Sequence, residues 1–476
     1  MTSQFNRFKN ADSGPGNRPP PPTPKARPAS QGMPPPAPPI PIAPTPASGG
    51  APKSGAPDPG KFDFLTTPQT VADTGLTLGL LSDLVLKTIY LQGESSANML
   101  AKTLCLPFAG VIQIVLEGLD REQLVSTTSG GFSAQTYNYV LSNAGIVRAR
   151  QALERNQYVG PAPVPLTVYN AAMRAQALRS LTLKEEEVKR GFDGLTINTA
   201  MFDKVGPALN SGRSIFLYGP PGNGKTTIAT RMARLLARDP IYIPHAAEID
   251  SNVIKVYDDF NHQRRELEGT LDMDDRWVLI ERPTVMVGGE LTLESLDLIY
   301  DDNAKYYEAP FQMKANGGLF LIDDFGRQKM DPQELLNRWI VPLETRIDFL
   351  TLHTGKKIEI PFEQLVVFST NLDPSQLVDE AFLRRIRHKI KVEDPSPQEF
   401  QQVFMVMCEK LKVKYNHEGF VHLMKKHYIE KKRSLKMSHP RDLLEQLIDM
   451  TRYKNLSAET LPQYMDMAAD AYFADL

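Results

Sequence analysis

The chain has 476 residues, enough for two or three domains at roughly 100 to 200 residues each, and its 41% hydrophobic content can fill ordinary cores. Its 54 basic and 56 acidic side chains nearly cancel to a formal charge of -2, which excludes a whole-protein field that would draw in nucleic acid or an anionic membrane. Cys105 and Cys408 stand far apart without metal-ligand or redox spacing, and nowhere do the roughly 18 apolar residues of a membrane-spanning helix run together. The opening MTSQFNRFKN lacks the apolar core of a signal peptide, so a soluble, cytoplasmic protein without membrane insertion is expected.

Residues 1–65 are dominated by Pro, Ala, Gly and Ser. They cannot bury enough apolar surface to offset the entropy of ordering, so a disordered Pro-rich tail is expected. Its clusters at Pro19–Pro22 and Pro34–Pro39 favour polyproline II, as a spacer more often than as a recognition element.

Over residues 66–160 the pattern changes to helices at Leu80–Leu91, at Ser95–Leu104 behind a Ser-Ser cap, and at Pro107–Glu117 with Gly118 just past the end. A strand at Gln123–Ser126, a turn at Ser129–Gly131, a strand at Tyr137–Leu141 and a last helix to Tyr158 follow. This α+β order resembles a winged helix-turn-helix domain. Its third helix, which in such a domain would enter the major groove, carries Gln113 and Glu117 but no Arg or Lys. Across the module Lys87, Lys102, Arg121, Arg148, Arg150 and Arg155 are matched by Asp83, Glu94, Glu117, Asp120, Glu122 and Glu154. That is a poor footprint for a phosphate polymer, so contact with a protein is expected ahead of DNA, which stays open behind it. Residues 161–198 read as linker and helices: Gly160–Pro165 is a stiff, proline-punctuated spacer, followed by a helix at Val168–Leu178 and a capped segment at Thr182–Val188.

Arg213–Tyr218 is a short apolar strand, and Thr226–Ala237 is a helix with Ile228, Met232, Ala233 and Leu236 on one face. Between them run Gly219, Pro220, Pro221, Gly222, Asn223, Gly224, Lys225 and Thr226, with Thr227 behind. Glycines at this spacing let backbone N–H groups wrap a phosphate, and the helix N-terminus adds partial positive charge. Lys225 then reaches the β and γ oxygens while the Thr226 hydroxyl coordinates Mg²⁺, so ATP and Mg²⁺ are the expected cofactors. Phosphoryl transfer also needs a carboxylate-bearing strand end near the phosphates. Gly318–Asp324 supplies it, with Asp323 on the metal side and Asp324 as general base or water-orienting group.

This acidic pair resembles the Walker B element of AAA+ ATPases, where the second acid is usually Glu. Asp324 is one methylene shorter, a departure that can cost rate. A helix at Asp331–Leu343 and a hairpin of Ile347–Leu352 with Lys357–Ile360 come next. The strand Leu365–Asn371 is similar to sensor 1, whose Asn, here Asn371, helps hold the water near the γ-phosphate. A hairpin placed just before it resembles the superclade with the MoxR and magnesium-chelatase branches. Asp379–Ile386 is similar to the arginine-finger segment, with Arg385 favoured over Arg384 and Arg387 third. A finger acts on the neighbour's ATP, so the resemblance implies a homo-oligomer, a hexameric ring. Ser438–Leu443 is similar to sensor 2, in which Arg441 would approach the γ-phosphate from the lid.

The resemblance spans residues 199–476 and implies an α/β fold: a P-loop core over 199–392, a parallel sheet flanked by helices, with a helical lid over 393–476. The implied activity is Mg²⁺-dependent ATP hydrolysis that drives remodelling or assembly of a protein partner. A DNA-binding regulatory or DNA-handling ATPase and a slow nucleotide-switched scaffold are the alternatives. The segment Arg264–Tyr307, with Val285–Glu290 and Tyr306-Tyr307, is longer and more charged than a crossover needs, and such segments in the family face a pore or partner. Tyr257 and Tyr306 are candidate gripping aromatics, with packing as the plainer reading. The histidines form no metal cluster, and His353 and His439 read as surface or packing residues.

Overall fold

Apolar runs bounded by Gly, Pro and polar residues build the central sheet of the computed structural model, which describes residues 62–129, 134–196, 199–266, 272–377 and 380–473. The Pro-rich tail up to residue 61 and Gly130 and Gly131 of the expected turn lie outside the described residues. Thr284–Val287, Leu319–Ile322, Leu365–Thr370, Ile215–Tyr218 and His388–Lys391 pair in that order as a five-stranded parallel sheet. Leu319–Ile322 and Leu365–Thr370 are buried along their whole length, as strands covered by helices on both faces must be. On one face Ile228, Met232 and Leu236 of the helix Lys225–Leu236 meet Leu217, Leu321 and Val367. On the other, Trp339 of the helix Pro332–Thr345 meets Phe320 and Phe368. This is a mixed α/β fold with a parallel sheet. Its order sets Leu365–Thr370 between the strand that feeds the phosphate loop and the acidic strand, so all three deliver their C-terminal ends to one edge.

Between the helix Lys225–Leu236 and the acidic strand the chain does more than cross over. Ile241–Pro244 pairs antiparallel with Trp277–Ile280. Ile299–Asp301, Tyr306–Glu308, Asn252–Lys255, Ala246–Ile249 and Val164–Pro165 form a second five-stranded sheet in that order. Val285, in the segment expected to face a pore or partner, belongs instead to the central sheet, because Thr284–Val287 pairs with the acidic strand. Four residues between Pro283 and Gly288 carry too little periodicity to announce a strand.

Residues 160–165 do not stand free as a spacer. Val164–Pro165 is an edge strand on Ala247–Glu248, Ala162 and Val164 are buried, and the Ala162 N–H donates to Leu104 O at 2.8 Å. Arg276 locks this junction. Its Nη2 meets Asp274 Oδ2 at 2.7 Å, and its Nη1 donates to Thr74 O at 2.9 Å and Pro163 O at 3.2 Å. Arg276→Ala would strand a buried carboxylate and two carbonyls. The expected cost is about 3–5 kcal/mol of stability, the range for breaking a buried ion pair from one side, read as a lower denaturant midpoint.

The N-terminal module comprises helices Leu78–Gln92, Ala97–Leu104, Gln113–Arg121 and Asn143–Arg155 around an antiparallel sheet ordered Glu94–Ser96, Asn138–Leu141, Val125–Ser129. The third helix starts later than Pro107 and runs past Gly118 to Arg121. Ala109 is extended and Gly110 has φ +74, while a Cβ on Gly110 would fall 2.0 Å from Gln69 O. The backbone is therefore committed to that close approach before a helix can form. Lys87 offers no surface charge: its Nζ is buried and donates to Asn156 O at 3.0 Å and Tyr158 O at 2.7 Å, and burial pushes it down to about 8.

The hairpin forms as Ile347–Thr351 with Lys357–Pro361. The C-terminal helices expected as a lid are Pro397–Leu411, His417–Leu423, His439–Tyr453 and Pro462–Tyr472, packed around Phe400, Phe404, Leu443, Leu447 and Met465. Among the described residues no single helix is long and apolar enough to cross a membrane.

Candidate functional site

The expected phosphate loop, Gly219–Thr226, turns on glycine. Gly219, Gly222 and Gly224 have φ of +140°, +78° and +82°, and a Cβ on Gly219 would lie 2.1 Å from Val392 O. The turn ends with Gly224 capping the helix Lys225–Leu236, whose first amides are unpaired within the helix and suit an anion. Lys225 Nζ donates to Gly219 O at 2.9 Å, to Pro220 O at 3.0 Å and to Asn371 Oδ1 at 2.5 Å. Burial pushes its pKa down, against the pull of Asp323 and Asp324.

Thr226 Oγ1 donates to Asp323 Oδ2 at 2.7 Å. Asn371 Nδ2 donates to Asp324 Oδ1 at 3.1 Å, so one amide bridges the lysine and the second acid. The structure thus brings together Lys225, Thr226, Asp323, Asp324 and Asn371. Asp324 sits at φ +48°, a left-handed conformation that a short polar side chain tolerates better than a longer one. Gln328, which no sequence spacing singles out, clamps this turn. Its Nε2 donates to Asp323 O at 3.0 Å and Asp324 O at 3.2 Å, and its Oε1 accepts from Gly326 N–H at 2.8 Å.

These groups line a cleft of about 940 Å³, together with Pro221, Gly222, Asn223, Gly224, Thr227 and Arg441. Leu195, Met201 and Met407 line it as well and add apolar wall. Charged groups together with apolar wall suit an anionic ligand that also carries a hydrophobic part. For a metal, Thr226 Oγ1 and Asp323 Oδ2 are hard oxygen donors side by side, which fits Mg²⁺, an ion that takes one or two carboxylates and completes its shell with phosphate and water. Among the described residues no group of three His, Cys, Asp or Glu is placed to hold an ion by protein ligands alone.

Other expected residues fall elsewhere. Asn223 lines the cleft but turns its amide to the lid, its Nδ2 donating to Asp394 Oδ1 at 2.7 Å. Arg441 reaches the cleft while paired with Asp442 at 2.9 Å. Arg384, Arg385 and Arg387 do not line it. They group with Arg213 and Glu344 around a second hollow of about 540 Å³, where Arg385 Nε lies 2.7 Å from Glu344 Oε1. Tyr257 stacks on His262 and donates to Asp259 Oδ1 at 2.7 Å, and Tyr306 meets Tyr158 edge-on at 5.8 Å. His439 is packed inside the lid against Tyr428, Tyr472 and Phe473, and burial pushes it down to about 4. His353 stacks on Tyr300.

Residues 396–471, most of the lid, match a family model described as a domain of unknown function, DUF8689. None of the curated proteins matches the chain. Among solved structures it is similar to the Thermotoga maritima RuvB Holliday junction branch migration motor, at 15% identity and a TM-score of 0.32 over 63% of this chain and 72% of that one. It is also similar to NtrX from Brucella abortus in complex with ADP, at 14% identity and a TM-score of 0.36 over 68% of this chain and 65% of that one.

Proposed function

We propose that this chain is a Mg²⁺-dependent ATPase of the AAA+ type that works as a homo-oligomer, a hexameric ring, on a protein partner. The observation that carries this reading is the convergence of Lys225, Thr226, Asp323, Asp324 and Asn371 on the cleft. Lys225 would bind the β and γ oxygens in place of its present carbonyl partners, and Thr226 and Asp323 would hold Mg²⁺. When bound, Mg²⁺ neutralises charge developing on the transferred phosphoryl group. Asn371 orients water against Asp324, which takes its proton as attack proceeds. The water-derived oxygen joins phosphorus, the bond to the β-phosphate oxygen breaks, and ADP and phosphate leave.

Arg385, outside its own chain's cleft, serves the neighbour's, with Arg384 beside it. A guanidinium in that role is worth about 10³-fold or more in rate. Arg385→Ala is therefore expected to bind ATP normally and hydrolyse it at least about 10³-fold more slowly. Mixing it with Lys225→Ala tests the shared site. Each variant is inactive alone, and a mixed assembly contains junctions with an intact Lys225 facing an intact Arg385. Recovered phosphate release supports the reading; no recovery in assemblies shown to exchange subunits would overturn it.

The winged-helix-like module is the proposed protein-binding part. Its third helix presents Gln113, Ile114, Glu117 and Arg121 rather than a basic face, and Lys87 is spent inside the fold.

A further inference from the structure

Arg441 is the lid residue that the sequence singles out for the cleft, yet the closer tie between lid and loop runs through other side chains. Asp394 follows the last sheet strand, His388–Lys391, at the root of the lid. Its Oδ1 accepts from Asn223 Nδ2 at 2.7 Å and from Lys436 Nζ at 2.6 Å. Asn223 Oδ1 in turn accepts the Met437 N–H at 3.2 Å, and Gly222 O accepts the Ser438 N–H at 2.8 Å. The approach is tight, since a Cβ on Gly222 would lie 2.9 Å from Ser438 Oγ. Residues 436–438 are therefore laid along the tip of the phosphate loop, directly before the helix His439–Tyr453 that carries Arg441.

The chemistry of this contact is specific. Asn223 is 4% exposed, and both ends of its amide are used, one for Asp394 and one for the Met437 amide. Burial pushes the Asp394 carboxyl up, but hydrogen bonds from Lys436 and Asn223 outweigh it and hold the group below its ordinary range. The ionised acid thus anchors a cation from the lid and an amide from the loop on a single oxygen. Two bonds to backbone amides fix the register, so a shift of Gly222–Asn223 cannot occur without moving 436–438 or breaking the set.

We propose that Asp394, Lys436 and Asn223 are positioning residues that make the lid follow the phosphate loop. The proposal rests on the ATP reading above: loop backbone that adjusts around phosphate displaces Gly222 and Asn223, and the latch passes that displacement to the helix carrying Arg441. Coupling of this kind is an energy shared between two elements, so it disappears when the shared contact is cut even if each element stays folded.

Hydrogen exchange of the full-length chain, with and without MgATP, tests this in Asp394→Ala, Lys436→Met and Lys436→Arg. In the wild type, ATP is expected to slow exchange both in the loop and first turn of Lys225–Leu236 and across 436–453. In Asp394→Ala and Lys436→Met the loop keeps that protection, because Lys225, Thr226 and Asp323 are untouched, while the ATP effect at 436–453 falls to about a quarter or less. Lys436→Arg, which keeps the charge, retains the lid response. A purely structural staple would not separate loop from lid in this way. Full ATP-induced lid protection in both Asp394→Ala and Lys436→Met would overturn the proposal.

If ATP protects nothing in the wild type, the nucleotide reading fails separately. The latch is then judged on the Met437 and Ser438 amides without nucleotide. Exchange at least about tenfold faster in Asp394→Ala supports it, and unchanged exchange overturns it.

Discussion

Asp324→Asn is expected to bind ATP and scarcely hydrolyse it, with phosphate release lowered by about 10²–10⁴-fold, the range for losing a positioned general base. The substitution is nearly isosteric, and Asn tolerates the left-handed backbone at φ +48° as Asp does. Gln328 grips main-chain oxygens at this turn and is indifferent to the change. On the proposed mechanism, what is lost is the acceptor that takes the proton from water. Phosphate release and equilibrium ATP binding, measured on the same preparation, separate the two steps; retained hydrolysis would remove Asp324 from the chemistry. The same left-handed backbone favours a short polar side chain at this position.

Lys225→Ala is expected to weaken ATP binding by about 100-fold or more, on the scale of two lost charge-assisted hydrogen bonds at roughly 1.5–3 kcal/mol each. The amine ties Gly219 O, Pro220 O and Asn371 Oδ1 in the fold, so its loss also slackens the loop that must wrap phosphate. The central sheet does not depend on it, because the strands Ile215–Tyr218 and Leu365–Thr370 pair through their backbones and bury apolar side chains. Isothermal titration, with circular dichroism to confirm the fold, reads this outcome. Undiminished affinity would remove the loop from nucleotide binding.

The Gly219–Thr226 turn is legible in the sequence because glycine stands where φ is positive and the helix begins at the Lys-Thr pair. Asp323 and Asp324 are legible for a related reason: acids at the end of a wholly buried run have few structural uses. Asn371 becomes meaningful only once a strand order places it between the other two strands, and the observed order does so. Much of the remainder leaves no local mark. Thr284–Val287 is too short and too closely bounded by Pro283 and Gly288 to read as a central strand. The proline run 160–165 has a linker's composition, yet it is fixed by partners distant in sequence, above all Arg276 and Ala247.

The site has the same division. Asp394, Lys436 and Gln328 act through hydrogen bonds across loops, which have no period, and Leu195, Met201 and Met407 line the cleft from separate elements. The third helix of the N-terminal module begins at Gln113 rather than at Pro107 for a backbone reason, the close approach of Gly110 to Gln69 O, which the Pro107 start signal cannot reveal.

Release of phosphate from ATP by the purified full-length chain, followed continuously with Mg²⁺ present and then removed by chelation, tests the central claim most directly. Steady release that stops on chelation and is absent from Asp324→Asn is the expected result. Release no faster than the protein-free blank, from a folded and assembled chain that binds ATP, would contradict it.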